Sequence, residues 1–100
     1  MDKAQRKQQL NAWRDQQRKA AIAAFPLPAN DLRSLFASLD KSLSAASCDH
    51  SLRFTTAWLS ARKVDPTPVV EWLRSQGGYC DCEVLANVEE KVDEATRGAG

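Results

Sequence analysis

The residues best suited to metal chemistry form two short motifs, C-D-H at 48–50 and C-D-C at 80–82. The chain contains three cysteines and one histidine, so these two motifs hold all of them. Thiolate and imidazole are ligands that Zn²⁺ prefers in proteins. The sequence therefore predicts a zinc site whose ligands are Cys48, His50, Cys80 and Cys82.

Both motifs place their ligands two residues apart, a spacing that suits an extended backbone. Residues i and i+2 of an extended segment project from the same face, so each pair could direct both ligand atoms at one ion. We expect such a segment in YCDCEVL, after Gly77 and Gly78. Two pairs give a Cys₃His shell, the composition of a structural zinc site. The C-x-C spacing is less typical than C-x₂₋₄-C, so either pair alone would be weak evidence.

Two metal-free interpretations of the cysteines stay open. Free cysteine is a common small core residue. A redox disulfide between Cys80 and Cys82 would be strained in a strand, where Cα atoms two residues apart lie about 6.5 Å from each other.

No catalytic residue is predicted. Four protein ligands leave no open position for water, and neither an H-E-x-x-H helix nor a Gly-rich phosphate loop is present. The alternative is a small zinc hydrolase or a thiol redox protein. In the hydrolase, Asp49, Asp81 or Glu83 would act as acid or base if only three ligands bind. The missing signature favours a binding protein over an enzyme.

Helix-forming composition and helix-breaking residues predict the elements that position the two motifs. Residues 3–24 are rich in helix formers and end at the prolines of FPLP, 25–28. A second helix starts at Asn30 or Asp31, and a third follows C-D-H with Asp49 or Ser51 as its cap. The second helix has an apolar face at Leu32, Leu35, Phe36, Leu39 and Leu43.

The fourth helix has clear start and stop signals. Asp65 before Pro66 is typical of a helix start, and Gly77–Gly78 of a helix end with one glycine in the left-handed region. A last acidic helix, NVEEKVDEAT, follows. We therefore predict a mainly α (small α+β) fold of four to five helices with a short extended CDC segment. The predicted parts are a basic N-terminal helix and hinge (1–27), a globular domain (28–92) and a disordered tail (93–100).

Charge is uneven along a chain whose net charge is only +1. Residues 1–25 carry six Lys or Arg against two Asp, whereas residues 81–97 carry six Asp or Glu against two basic residues. The ends can attract each other or be solvated. A protein partner is favoured, and the alternative is nucleic-acid binding through Arg6, Lys7, Arg14, Arg18 and Lys19.

The reducing cytoplasm is the expected compartment. After Met1 the chain lacks the apolar region of a secretory signal, and three cysteines do not make a secreted disulfide framework. The longest uncharged stretch, 20–30, is too short to span a membrane.

Two longer stretches carry a resemblance: CDHSLRFTTAWL (48–59) and VVEWLRSQGGYCDCEVLANVEE (69–90). Together they resemble the bacterial family called domain of unknown function 2695, whose hallmarks are C-D-H, W-L and G-G-Y-C-D-C-E-V-L-x-N-V. The likeness covers about residues 30–92 and leaves the basic helix outside. It implies a small, mostly helical bacterial domain and brings no activity or catalytic residue. The zinc prediction comes from the residues and not from this resemblance.

Overall fold

Helices form every regular element in the part of the chain that the structure describes, residues 3–97, with side chains from residue 12. In the computed structural model, α1 spans Lys3–Ala23, α2 Ala29–Ala45, α3 Arg53–Ala61 and α4 Pro66–Ser75. Residues 81–97 are continuously helical and are called the C-terminal helical segment: α5 (Asp81–Glu83), a π-helical turn (Val84–Val88) and α6 (Glu89–Arg97). The predicted mainly α fold is confirmed, and no strand occurs within residues 3–97.

One apolar core joins α2, α3, α4 and the C-terminal helical segment. Because the apolar residues of α2 recur every three or four positions, they share the face of the helix that is buried. The predicted α2 face is confirmed, except that Leu43 is only half-buried. The buried core comprises Leu32, Leu35, Phe36, Leu39, Leu52, Leu59, Val69, Leu73, Val84, Val88 and Val92.

The FPLP stretch lies in the chain between the end of α1 and the start of α2, as predicted. Proline lacks the amide hydrogen that a continuing helix needs, and α2 begins at Ala29, directly after Pro28. The Phe25 ring packs edge-on against Trp72, with ring centroids 5.5 Å apart. This contact attaches the connection to α4, while α1 itself lies along α6.

The signals that bound α4 behave as predicted. The Asp65 carboxylate accepts a hydrogen bond from the Thr67 amide at 3.1 Å, and Pro66 occupies the first turn. At the other end Gly77 has φ 94°, a conformation that suits glycine. Asn87 Nδ2 and Lys91 Nζ donate to the carbonyls of Gly77 and Gln76 at 3.0 and 2.8 Å. The C-terminal helical segment therefore satisfies carbonyl groups just beyond α4.

The disordered tail predicted for residues 93–100 is wrong for its first part. α6 continues to Arg97, and Ala95 is buried because α1 covers this side of α6. Residues 98–100 lie outside the described part. None of the described helices is long and apolar enough to cross a membrane. The division at residue 27 stays a prediction.

Candidate metal centre

The C-D-C motif starts a helix, so the expected extended segment is wrong. Cys80 alone is extended, with φ −145° and ψ 168°, and α5 begins at the next residue. The alternation of residue types in YCDCEVL suggested a strand. Tyr79 is exposed and Cys80 is buried as that alternation predicts, but Asp81 is buried and Cys82 is exposed, which is the reverse. From Asp81 onward a tertiary contact decides the backbone conformation instead.

That contact is made by Asp81, whose side chain is fully buried. Its two carboxylate oxygens accept hydrogen bonds from the backbone amides of Phe54 and Thr55, both at 3.0 Å. The Thr55 hydroxyl adds a third bond at 2.7 Å. The Asp81 amide donates to the Ser51 carbonyl oxygen at 3.0 Å. Because the first amides of a helix have no partner within it, Asp81 acts as the cap of α3 from a distant part of the chain.

Of the two predicted local caps of α3, Ser51 contributes a single bond to the first amide of the helix and Asp49 contributes none. The residue that precedes α3 is Leu52, and it makes no side-chain cap. Ser51 Oγ accepts a bond from the Arg53 amide at 3.3 Å, whereas Asp49 accepts bonds from the amide and hydroxyl of Ser51. The Ser51 hydroxyl, the largest influence, lowers the pKa of the Asp49 carboxyl group. Asp49 thus orders the loop that holds Cys48.

The bond between Ser51 and Asp81 brings the two motifs together, and their three sulfurs form one cluster. The Sγ atoms of Cys48, Cys80 and Cys82 all lie within 4.8 Å of one another. The Sγ atoms of Cys80 and Cys82 are 3.3 Å apart. Cys80 is buried, Cys48 is partly buried and Cys82 is exposed. A three-sulfur cluster at the surface, with a route to solvent, can hold a metal ion.

The backbone around the sulfurs gives the thiols different acidities. Hydrogen bonds from the backbone amides of Cys82 and then His50 lower the pKa of the Cys48 thiol. Burial raises the pKa of the Cys80 thiol to about 12, and the neighbouring side chains of Cys82, Cys48 and Glu83 act in the same direction. The Cys48 thiol therefore ionises more readily than an ordinary cysteine, whereas the Cys80 thiol stays protonated at neutral pH.

His50 is placed differently from the three cysteines. Its backbone lies in the left-handed region with φ 67°, and the residue is exposed. Its amide donates to Cys48 Sγ at 3.4 Å. The imidazole does not belong to the described group of ligand atoms that lie within 4.8 Å of one another. His50 as a metal ligand stays a prediction.

Two charged residues, Arg53 and Glu83, lie beside the cluster. Arg53 lies 3.6 Å from the Asp49 carboxylate and donates to the Ser47 carbonyl at 2.8 Å, next to Cys48. The sequence indicated Asp81 as a possible acid or base but did not indicate its capping role, which depends on residues far away in the chain. Glu83 Oε1 lies 3.4 Å from Cys80 Sγ. The i, i+3 spacing across a helical turn is the signal that could have placed Glu83 beside the Cys80 sulfur, whereas the sequence indicated Glu83 only as an acid or base.

A shallow groove between α1 and α6 is a separate surface feature. Its volume is about 700 Å³, and its lining includes Trp13, Arg14 and Arg18 on one side and Lys91 and Glu94 on the other. The Trp13 side chain is 57% exposed. Of the basic residues predicted to contact nucleic acid, Arg6 and Lys7 have side chains outside the described part.

Comparisons with known proteins agree with the sequence motifs. Residues 35–87 match the family described as protein of unknown function (DUF2695). Uncharacterised proteins from Mycobacterium bovis and from two strains of Mycobacterium tuberculosis are each 33% identical over 91 residues, which is 91% of this chain and 92% of theirs. No solved structure matches the chain. The matched region contains both cysteine motifs and the helices between them, and the chain belongs to the DUF2695 family.

Proposed function

We propose that the protein is a zinc-stabilised binding module, with Zn²⁺ held by the thiolates of Cys48, Cys80 and Cys82. The observation that carries the proposal is that these three sulfurs, from two separate motifs, lie within 4.8 Å of one another. The sequence adds His50 as the predicted fourth ligand. Three thiolates are soft ligands, which suit Zn²⁺ better than Mg²⁺ or Ca²⁺.

The role proposed for the metal is structural. The sulfurs come from the loop before α3 and from the start of the C-terminal helical segment, so one ion would join the two halves of the core. The hydrogen bonds of Asp81 already connect the same two parts of the core. The ion would add its binding free energy to the same junction, because Zn²⁺ that binds only the folded chain stabilises the fold.

The partner proposed for the module is another protein. The exposed Trp13 and the neighbouring Arg14 and Arg18 are residue types that are enriched at protein interfaces. Cytoplasmic location stays part of this proposal.

Zinc titration of metal-free protein tests the module directly. We expect one ion per chain and a rise in the melting temperature, both lost in Cys82→Ser. Tyr79→Phe is the matched control, because this exposed neighbour lies outside the sulfur cluster and should leave both unchanged. Equal melting temperatures with and without zinc would contradict the structural role.

A thiol redox protein is the second candidate function. It is favoured by the 3.3 Å between Cys80 Sγ and Cys82 Sγ, and by the lowered pKa of the Cys48 thiol. Thiolates are the reactive form of cysteine. If this candidate is correct, metal-free protein forms a disulfide reversibly with a glutathione buffer, and the bond is found by peptide mass analysis.

A further inference from the structure

The Glu83 carboxylate lies next to one sulfur of the cluster, that of Cys80. Glu83 is half-buried and lies one helical turn after Cys80, so its side chain reaches back along the same side of the helix. Its Oε1 atom lies 3.4 Å from Cys80 Sγ. The Cys82 sulfur lies 3.3 Å from Cys80 Sγ. Cys80 Sγ therefore has a sulfur and a carboxylate oxygen as close neighbours.

These distances resemble the edges of a zinc coordination tetrahedron. With Zn–S near 2.3 Å and Zn–O near 2.1 Å, two ligand sulfurs lie about 3.8 Å apart and a sulfur and an oxygen about 3.6 Å apart. The contacts of Cys80 Sγ at 3.3 and 3.4 Å are shorter by a few tenths of an ångström. The Glu83 oxygens are not within 4.8 Å of all three sulfurs, so the Glu83 side chain would have to turn towards Cys48 and Cys82 for the four ligand atoms to surround one ion.

The other carboxylates near the cluster are already used by the fold. Asp81 directs both oxygens at the start of α3, and Asp49 accepts bonds from Ser51 and lies beside Arg53. Within the described residues, the Glu83 carboxylate accepts a hydrogen bond from the Cys80 thiol and from no other donor. It is the carboxylate that metal binding could recruit without breaking a contact of the fold.

We propose that Glu83, rather than His50, supplies the fourth ligand, giving a Cys₃Glu shell. This inference rests on the zinc site proposed above and deepens it. Three thiolates, one carboxylate and Zn²⁺ carry a net charge of −2. The backbone amide of His50 donates to Cys48 Sγ, and Arg53 lies beside the Cys48 loop, so positive groups face the cluster.

Matched single substitutions in the full chain separate the two candidate ligands. Glu83→Gln keeps the size of the side chain and removes its charge, and His50→Asn removes the imidazole. Zinc affinity is measured by competition with a chromogenic chelator. We expect a loss of about tenfold or more in Glu83→Gln, because even indirect partners of a metal cost about 10–100-fold. His50→Asn should change the affinity by less than about threefold.

Two further measurements keep the result interpretable. Glu90→Gln removes an exposed charge farther along the same helical segment and should behave as the unaltered protein. The absorption spectrum of the Co²⁺-loaded protein should change in Glu83→Gln and stay unchanged in His50→Asn, because its visible bands report the ligands of the ion. Circular dichroism confirms that each variant is folded.

The outcomes distinguish the ligand from the site. A loss in His50→Asn that equals or exceeds the loss in Glu83→Gln would overturn the proposal for Glu83. Unchanged affinity in both variants, with binding abolished in Cys82→Ser, would also overturn it and leave a three-cysteine site completed by water. If Cys82→Ser binds zinc as well as the unaltered chain, the zinc site itself is wrong.

Discussion

At the scale of single residues, the two aspartates inside the cysteine motifs have opposite environments. Asp81 is fully buried and accepts three hydrogen bonds from α3, whereas Asp49 is exposed and bonds within its own loop. Burial decides the difference, because an unpaired buried donor costs about 1–3 kcal/mol while an exposed one turns to water. The same residue type in the same motif position therefore contributes differently to stability.

This difference predicts unequal effects of two equivalent substitutions. Asp81→Ala leaves the amides of Phe54 and Thr55 and one hydroxyl without their acceptor, and should lower the free energy of unfolding by about 3 kcal/mol or more. Asp49→Ala, its matched control, should leave the free energy of unfolding nearly unchanged, because the exposed partners of Asp49 can bond to water instead. Urea denaturation of metal-free protein measures both. Equal losses would show that Asp81 does not hold α3.

The Cys80 thiol predicts a pH dependence of the metal-free fold. Its pKa is raised from 9.0 to about 12 in the folded chain, chiefly by burial. The unfolded chain thus loses this proton first as the pH rises. The stabilising contribution is complete below about pH 9 and is lost progressively towards about pH 12. The free energy of unfolding is measured with urea at about pH 8 and about pH 10.5. Its decrease between the two pH values should be larger in the unaltered protein than in Cys80→Ala, whose other titrating groups are the same.

The same thiol should make zinc binding release protons. A ligand sulfur must be deprotonated, so Cys80 gives up its proton when the ion binds. Calorimetric titration in buffers with different ionisation enthalpies should show at least one proton released for each ion. Binding without any proton release would exclude Cys80 as a ligand.

At the scale of elements, the two glycines after α4 have different functions. Gly77 supplies a left-handed backbone, with φ 94°. Gly78 supplies space, because a Cβ atom there would lie 2.9 Å from Val84 Cγ2 and 3.0 Å from Val88 Cγ2. Gly78 therefore allows the end of α4 to pack closely against the π-helical turn.

Alanine substitutions at these glycines should both destabilise the fold. We expect about 1–2 kcal/mol from backbone strain in Gly77→Ala and about 1–3 kcal/mol from overpacking in Gly78→Ala. Ser75→Ala, at an exposed neighbouring position, should stay within about 0.5 kcal/mol. Thermal unfolding followed by circular dichroism measures all three. A neutral Gly78→Ala would mean that the packing at this junction is looser than the structure has it.

Local sequence signals predicted the helices well and the cysteine segment poorly. The apolar face of α2, the Asp65–Pro66 start and the left-handed glycine each depend on neighbours a few residues away. The helix that starts at Asp81 depends on amides of α3 that are distant in sequence, so an alternating pattern suggested a strand. Of the predicted metal site, the closeness of the three cysteines is confirmed, whereas His50 is not among the clustered ligand atoms.

At the scale of the whole molecule, the uneven charge makes a distinct prediction for nucleic-acid binding. α1 presents Arg14, Arg18 and Lys19 in its described part, and Arg18 is paired with Asp15 at 3.5 Å. If these residues bind duplex DNA, the affinity should fall with salt, by about 0.9 logarithmic units per phosphate contact for each tenfold rise. Replacing all three by glutamine should reduce that slope. Affinity that is independent of salt would exclude this alternative and leave a protein partner.

The zinc ion proposed for this protein would join the two cysteine motifs. Elemental mass spectrometry of tag-free protein, purified without chelator, tests it most directly. We expect one zinc per chain, and loss of both the ion and the melting-temperature increase in Cys48→Ser and Cys82→Ser. The zinc site is wrong if the purified chain contains no metal, folds equally well with three titratable thiols, and takes up no zinc when zinc is supplied.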